Sequence, residues 1–288
     1  MRELLSPKQV ARALQVSESS VKRWCDKGCI PTTYTEGGHR RIRISDLVEF
    51  VRRTDHEVVT PEAIGMPLLS AKPIRELDEA VGPMTAALLS GDEARSIQIA
   101  LDLYLAEHSL SSICDDVIAA AFHQIGELWA CGQAEIYQER RGCTIAERII
   151  HELRPLIRPI SSDAPLAIGC SASGDSYSLA TTMAELVLRE ARWNACSLGE
   201  NLPLSSVAKA IVQHRPRMVW ISCSHIERLS EFLAEYRKLH EEFSLDVAFV
   251  VGGRALTPPI RKQMKYAAHC ESMRDLEGFA QSLLSYAA

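Results

Sequence analysis

The spacing of apolar side chains predicts two short helices at the start of the chain. Ser6 is followed three residues later by Gln9, which forms a capping box, and Pro7 occupies the first helical position, where no backbone N–H is needed. Ser17 is expected to cap the second helix, and Gly28 to end it in a left-handed conformation. Two helices joined by so short a break predict a helix-turn-helix.

A hairpin and a third helix are predicted next. Residues 32–44 alternate in character on either side of Gly37 and Gly38, a pattern that indicates a β-hairpin, or wing. Ser45 or Asp46 is expected to start the third helix. We refer to residues 1–54 as the head.

Residues 55–73 show no periodic pattern. They contain the pairs Thr60-Pro61, Met66-Pro67 and Lys72-Pro73. Prolines at such spacing are typical of connecting segments. The sequence therefore predicts a linker with little structure of its own, which would let the head swing relative to the rest of the chain.

Helical periodicity returns over residues 74–160. Breaks near Ser90-Gly91, Ser109 and Gly132 divide this region. The predicted helices cover residues 74–89, 92–107 and 134–156, and a further helix begins at Ser109, Ser111 or Ser112 and runs to Cys131. Antiparallel helices with short connections form a bundle, so a four-helix bundle is expected.

Short apolar runs alternate with amphipathic helices over residues 161–288. The predicted strands are residues 166–170, 193–198, 218–222, 247–251 and 266–269, and the predicted helices are residues 177–190, 204–213, 226–242 and 273–286. This pattern predicts a doubly wound, flavodoxin-like parallel sheet whose ligand crevice lies at the carboxyl ends of the strands. The fold class is therefore multidomain, with α and α/β parts.

Charge is distributed unevenly between these regions. The head carries 11 Lys and Arg against 6 Asp and Glu, a net charge of +5, whereas the remaining residues carry 21 against 31, a net charge of −10. A basic head on an acidic body is expected when only the head contacts nucleic acid. No apolar run is long enough to cross a membrane, and the nine cysteines include no Cys-x-x-Cys pair, so a reduced, cytoplasmic protein is expected.

The polar face of the second helix is suited to the major groove, where Ser, Lys and Arg bind base edges or phosphates. The basic residues of the wing are suited to phosphates. The predicted DNA-binding residues are Ser19, Ser20, Lys22, Arg23, Lys27, His39, Arg40, Arg41 and Arg43. A double-stranded DNA operator is the expected partner; the alternative is a small helical domain that is merely basic.

Two segments of the head carry a family resemblance. Residues 17–24 follow the pattern Ser-x-x-Ser-Val-x-x-Trp, and residues 37–41 read Gly-Gly-His-Arg-Arg. The head resembles the winged helix of MerR-type and excisionase-type regulators. The resemblance implies sequence-specific DNA binding.

A second resemblance lies in the predicted bundle. Trp129 is followed after nine residues by Glu139 and Arg140. This segment resembles the cap bundle of CarH/LitR photoreceptor repressors, where Trp and a Glu-His pair at this spacing contact the upper face of adenosylcobalamin. Arg140 replaces that His. The alternative is that Trp129 is a core tryptophan and Glu139 a solvated helix residue.

The α/β region resembles cobalamin-binding domains that carry Asp-x-His-x-x-Gly after the first strand, Ser at the third strand and Gly-Gly after the fourth. The residues that match this pattern are Asp175, Ser222, Gly252 and Gly253. Tyr177 replaces the cobalt-ligating His, and Ala180 replaces the last Gly. A neutral phenol is a poor cobalt ligand, and Asp175 loses the His that it would orient. Cobalt ligation by the protein is therefore not expected.

Three hypotheses follow for the predicted bundle and α/β region, residues 74–288, which we refer to as the sensor region. In the first it binds no tetrapyrrole and serves as a fixed or protein-controlled oligomerisation module. In the second it binds cobalamin without a protein ligand, through the groove for the nucleotide tail. In the third it binds haem through a Cys or through His123, His225 or His269, with His225 placed near the crevice.

An enzyme is the rival class, because corrinoid methyltransferases and mutases use the same bundle and α/β unit. The ligating His is missing, and no other nucleophile–base motif or phosphate loop is evident. The expectation is a non-enzymatic transcriptional repressor that forms a dimer or tetramer, with a regulatory protein as a further candidate partner.

Overall fold

The computed structural model describes residues 4–54, 56–70 and 72–285. The chain divides into two compact units, Met1–Pro159 and Ile160–Ala288. The first unit contains the helix-turn-helix and the helices that follow it, and the second contains a five-stranded parallel sheet. The predicted fold class is confirmed.

The head contains the predicted helices and hairpin in the predicted order, together with a short first strand that was not predicted. They are β1 (Leu4–Leu5), α1 (Pro7–Ala13), α2 (Glu18–Asp26), β2 (Thr33–Tyr34), β3 (Arg40–Arg43) and α3 (Ile44–Arg52), with an antiparallel sheet of order β1-β3-β2. The capping box is present, since Gln9 Oε1 accepts the Ser6 N–H at 2.9 Å and Ser6 Oγ accepts the Gln9 N–H at 3.3 Å. Gly28 has a φ of 75°, as its place after α2 predicted. Helix α3 begins one residue earlier than expected, at Ile44.

The segment predicted as a loose linker is packed against α1. Backbone N–H groups of Val59 and Thr60 donate to the carbonyl of Ala13, at 2.8 and 3.0 Å. A 3₁₀ turn, Pro61–Ile64, follows, and the Ile64 and Met66 side chains are buried. The prediction of little structure is wrong because these apolar residues extend the core of the head at spacings that match neither a helix nor a strand.

The head also contacts the helices that follow it in the same unit. The Arg52 guanidinium donates to the carbonyl of His108 at 3.0 Å and lies 4.1 Å from the centroid of the Tyr104 ring. Arg158 Nε lies 3.7 Å from an Asp46 carboxylate oxygen on α3. The freely swinging head that the linker prediction implied is therefore not the arrangement in this structure.

Helices fill residues 77–153 near their predicted limits. They are α4 (Leu77–Ser90), α5 (Glu93–Leu105), α6 (Leu110–Ser112), a π-helical segment (Ile113–Ala119), α7 (Ala120–Ala130) and α8 (Ile136–Leu153). The stretch formed by α6, the π-helical segment and α7 was predicted as one regular α-helix. Apolar spacing alone does not distinguish a π-helical stretch from an α-helical one over so few residues.

The second unit is a parallel sheet with the order β5-β4-β6-β7-β8, the flavodoxin-like order. Its strands are β4 (Leu166–Ser171), β5 (Asn194–Ser197), β6 (Met218–Ser222), β7 (Ala248–Gly252) and β8 (Ala268–Cys270). Its helices are α9 (Leu179–Glu190), α10 (Leu204–His214), α11 (Leu229–Phe243), α12 (Pro258–Arg261) and α13 (Met273–Ser285).

Each face of this sheet has its own apolar core. Helices α10 and α11 pack on one face, and α9 and α13 pack on the other. The last predicted helix was placed to end at Tyr286, which lies outside the described residues. Within the described ranges, no helix combines the length and apolar character needed to span a membrane.

Candidate DNA-binding surface and crevice of the sheet

Helix α2 presents a polar face because its apolar face is anchored in the head. Val21 and Cys25 are buried, and the Trp24 ring lies 4.9 Å from that of Phe50 between centroids. The predicted DNA-binding residues that are exposed on or beside α2 are Ser19, Lys22, Arg23 and Lys27. These side chains share one accessible surface, as recognition of a groove requires.

The serines at the start of α2 are engaged with one another. Ser17 Oγ accepts the Ser20 backbone N–H at 3.0 Å and lies within 3 Å of the hydroxyls of Ser19 and Ser20, at 2.8 and 2.9 Å. Their first role in this structure is to cap the helix. Lys22 pairs with Glu18 at 2.8 Å on an exposed face, which costs little to break on binding a phosphate.

Arg40 is used inside the head. Its guanidinium donates to the Lys22 carbonyl at 2.9 Å, to Asp26 Oδ1 at 2.6 Å and to the Tyr34 hydroxyl at 3.0 Å. The side chain is only 18% exposed, although it was predicted as a phosphate contact. These bonds join the wing to the carboxyl-terminal end of α2, so Arg40 positions the two DNA-facing elements relative to each other.

The other basic residues of the wing differ in exposure. Arg41 is half-buried and donates to the Arg40 carbonyl at 3.0 Å, whereas His39 and Arg43 are exposed. Arg43 is also the residue that precedes α3. His39 and Arg43 therefore remain the wing side chains best placed to reach a phosphate.

Asp175 joins the loop that follows β4 to the loop that follows β6 by hydrogen bonds. Its carboxylate is fully buried and accepts the backbone N–H groups of Tyr177 at 3.1 Å, of His225 at 3.2 Å and of Ser224. Without a ligating His, Asp175 was expected to have no orienting role. It instead organises backbone, because a buried carboxylate needs donors and these amides supply them.

Replacing Asp175 with alanine is expected to destabilise the second unit by about 3 kcal/mol, since three amide groups lose their acceptor. The measurement is the free energy of unfolding in urea. Asp163→Ala, at an exposed position of the same unit, is the control and is expected to change it by less than about 0.5 kcal/mol. Equal stabilities of the two variants would contradict this role of Asp175.

Tyr177 occupies the place of the cobalt-ligating His but contacts the protein. The Arg254 guanidinium lies 5.5 Å from the centroid of its ring, and Arg254 Nε donates to the Ser224 carbonyl at 3.3 Å. The Tyr177 carbonyl accepts the Ser171 hydroxyl at 2.8 Å. The loops that follow β4, β6 and β7 are thus joined by their own side chains.

The glycine pair has a packing role at the same edge. A Cβ on Gly253 would lie 2.4 Å from the carbonyl oxygen of Cys223, and its φ of +102° also excludes most side chains. A Cβ on Gly252 would lie 2.8 Å from the Cys270 carbonyl oxygen. Ser222 is buried, and its carbonyl accepts the Ala172 N–H at 3.4 Å. The predicted motif positions therefore lie together, in close-packed backbone.

Trp220 fills the space beside this motif. It lies two residues before Ser222 on β6, so both side chains point to the same face of the sheet. Its ring stands opposite Gly169 on β4, where a Cβ would come within 2.0 Å of it. The indole N–H donates to Thr181 Oγ1 on α9 at 2.9 Å, and Trp220 is only 3% exposed. From the sequence, Trp220 was predicted only as part of an apolar strand.

These residues do not fit a corrinoid whose cobalt is held by the protein. Tyr177 is a poor cobalt ligand and packs with Arg254. The Asp175 carboxylate already accepts hydrogen bonds from backbone amides. Trp220 occupies the α9 side of the sheet next to Ser222. Among the described residues, no group of three or more His, Cys, Asp or Glu is arranged to hold a metal ion.

The side chains that were predicted as candidate haem ligands are also poorly suited to bind iron. His123 is exposed and lies 3.4 Å from Glu127, and the His225 side chain is exposed. His269 lies against the Arg261 guanidinium, whose Nη1 is 2.5 Å from the imidazole Nδ1 and 3.0 Å from Nε2, so both ring nitrogens are covered by a cation. Burial raises the pKa of the Cys170 thiol to about 12 and that of Cys223 further, which disfavours the thiolate that binds iron.

The bundle residues of the second resemblance are accessible. Trp129 is 56% exposed, so the alternative that it is a core tryptophan is wrong. Glu139 is half-buried and Arg140 is exposed on α8. Ile136 and Tyr137 are exposed large side chains at the start of the same helix.

Comparison with known families separates the head from the helices that follow it. A helix-turn-helix domain model matches residues 4–55, and a B12 binding domain model matches residues 83–154. The chain is similar to the monomethylamine corrinoid protein of Methanosarcina barkeri, with 14% identity over 72% of this chain and 100% of that chain and a TM-score of 0.61. That likeness shows a shared fold.

Two further solved structures match less well. A cobalamin-binding protein from Desulfitobacterium hafniense DCB-2 has 15% identity over 72% of this chain and 98% of its own, with a TM-score of 0.39. The methanol:cobalamin methyltransferase complex MtaBC of Methanosarcina barkeri has 16% identity over 80% of this chain and 90% of its own, with a TM-score of 0.40. No curated protein matches the chain. The two family matches, together with the fold shared with the monomethylamine corrinoid protein, show a helix-turn-helix combined with a cobalamin-binding architecture.

Proposed function

We propose that this chain is a sequence-specific transcriptional repressor of the CarH/LitR type. The observation that carries the proposal is the exposed polar face of α2, with Lys22, Arg23 and Lys27, which Arg40 fixes in relation to the wing. Helix α2 enters the major groove of a half-site, and the wing residues His39 and Arg43 contact the adjacent phosphates.

Assembly is the second part of the proposal. One small head contacts few phosphates and bases, so its affinity is limited. A dimer or tetramer formed through the rest of the chain raises the effective concentration of the second head and strengthens binding to paired half-sites. A regulatory protein that binds the sensor region would then control repression through assembly.

The test is selection of DNA from a random library by the full-length chain, followed by fluorescence anisotropy at increasing salt. We expect one enriched sequence, bound with an affinity that falls steeply with salt; about five phosphate contacts give a slope of roughly −4 to −5 in log K against log salt. Enrichment of no sequence would contradict the proposal.

For the sensor region we propose a module that binds no tetrapyrrole and catalyses no reaction. The contacts of Asp175, Tyr177 and Trp220 support this, because they use protein groups where a corrinoid would need space or ligands. The fold is then retained for assembly.

A second candidate function is a cobalamin- or haem-dependent light or redox sensor. It is favoured by the exposed Trp129 and by the B12 binding domain match over residues 83–154. The test is the visible absorption spectrum of the purified chain after incubation with adenosylcobalamin, hydroxocobalamin or haem and desalting. A retained corrinoid or Soret band favours this candidate, and a clear spectrum in every case favours the cofactor-free module.

Arg40→Ala tests the positioning role of Arg40. The variant is expected to bind the selected operator about tenfold more weakly, because α2 and the wing lose their shared anchor. Its salt slope is expected to match that of the wild type, since Arg40 does not neutralise a phosphate.

Arg43→Ala is the matched comparison. Arg43 is exposed, so its loss is expected to reduce the salt slope by about one. A reduction of the slope by one in the Arg40 variant would identify Arg40 as a phosphate contact and contradict the positioning role.

A further inference from the structure

A cleft of about 1060 Å³ lies within the first unit. Its walls come from the end of α3, from the packed segment that follows it, and from the end of α5. The volume is in the range of sites that bind small organic molecules. The cleft is distinct from the DNA-facing surface of α2 and from the sheet edge of the second unit.

One part of the cleft wall is apolar and accessible. Leu68 and Val59 line it and are 62% and 51% exposed, among the most exposed large apolar side chains of the first unit. Pro61 and Leu105 extend the same wall. Exposed apolar side chains on a concave surface favour an apolar part in the ligand.

The charged lining has an excess of acidic groups. The acidic residues are Glu57, Glu62, Glu76, Asp102 and Glu107, and the arginines are Arg52, Arg53 and Arg75. The arginines are each engaged: Arg52 with the His108 carbonyl, Arg53 with Glu49 and Arg75 with Glu57.

Most of the acids, in contrast, have no cationic partner. Within the described part of the chain, Glu62, Glu76 and Glu107 make no ion pair. The negative charge of the cleft is therefore not neutralised by its own walls. Such a site attracts cations and disfavours anions.

Asp102 supplies the specific feature of the cleft. It is 4% exposed, and its Oδ2 has no hydrogen-bond partner among the described residues. Burial raises the pKa of this carboxyl, while Ser70, the backbone of Ile74 and the charge of Arg95 act in the opposite direction. A buried carboxylate oxygen without a donor is costly, and a ligand that supplies a charged N–H donor removes that cost.

We propose that this cleft binds a small amphiphilic ammonium compound, with its apolar part on Leu68 and Val59 and its ammonium group directed to Asp102 and the unpaired glutamates. The ligand contacts α3 of the head and α5 of the following helices together. Its binding therefore stabilises the docked position of the head, which gives the chain a small-molecule input at a place other than the sheet edge of the second unit.

The test compares three probes of nearly equal size on the full-length chain by isothermal titration calorimetry: 2-phenylethylammonium, neutral 2-phenylethanol and anionic phenylacetate. We expect the ammonium probe to bind saturably, the alcohol to bind about tenfold more weakly and the carboxylate not to bind. Asp102→Asn is expected to weaken ammonium binding about tenfold.

A second variant keeps the proposal testable if the Asp102→Asn variant does not fold. Glu76→Gln combined with Glu107→Gln changes only exposed rim residues and is expected to weaken ammonium binding about threefold. Glu79→Gln, exposed and outside the cleft lining, is the control and is expected to leave binding unchanged.

Two results would overturn the proposal. One is equal affinity for the ammonium and alcohol probes, or no saturable binding of any probe. The other is unchanged ammonium affinity in both the Asp102 variant and the rim variant. Neither result bears on DNA binding, so the failure of this proposal is distinct from a failure of the proposed function.

Discussion

Replacing Arg23 with alanine is expected to weaken binding to the selected operator by about 1–3 kcal/mol, roughly tenfold to a hundredfold. Arg23 lies exposed on α2, and it makes no ion pair among the described residues. Its guanidinium is therefore available for bidentate contact with a guanine edge. The measurement is fluorescence anisotropy with the full-length chain at fixed salt.

The control for this prediction is Arg237→Ala. Arg237 is exposed on α11 in the second unit, and its replacement makes the same change in net charge. Unchanged operator affinity in both variants would remove the assignment of α2 as the recognition helix. Weaker binding of the operator together with unchanged binding of unrelated DNA would identify Arg23 as a base contact.

Replacing Trp220 with alanine is expected to destabilise the second unit by about 3–5 kcal/mol. The change leaves a cavity between β4, β6 and α9, and it removes the hydrogen bond to the buried Thr181. The measurement is urea unfolding followed by far-ultraviolet circular dichroism, with separate transitions fitted if the two units unfold separately.

Trp129→Ala is the matched control, because it removes the same side chain from a position that is 56% exposed. Its cost is expected to be below about 1 kcal/mol. Equal costs for the two tryptophans would show that the indole of Trp220 does not hold the sheet and α9 together.

Local signals predicted much of the head. The capping box at Ser6 and Gln9, the cap at Ser17 and the left-handed Gly28 each depend on residues within a few positions of one another. Apolar periodicity likewise predicted the helices and the parallel sheet. Such features are readable because short-range spacing determines them.

Features that depend on distant contacts were missed. Two of the partners of Arg40 lie 18 and 14 residues away, and two of those of Asp175 lie 49 and 50 residues away. No spacing rule pairs such residues before the fold is known. The packed segment around Ile64 was taken for a linker for the same reason, since its core contacts are tertiary.

The sheet edge matches a corrinoid-binding pattern at positions whose contacts lie within the protein. Gly252 and Gly253 match the corrinoid pattern, yet neighbouring carbonyl oxygens alone exclude larger residues there. Asp175 matches as well, while its acceptor capacity is used by backbone amides. The matched positions are therefore explained by packing and hydrogen bonding within the protein.

We propose that the chain binds DNA through its head and that this binding does not depend on a corrinoid. The most direct measurement is an anisotropy titration of the full-length chain on its selected operator, with and without adenosylcobalamin, in the dark and after illumination. We expect specific binding with the same affinity in every condition. Loss of specific binding, or an affinity that changes about tenfold with adenosylcobalamin or light, would contradict it.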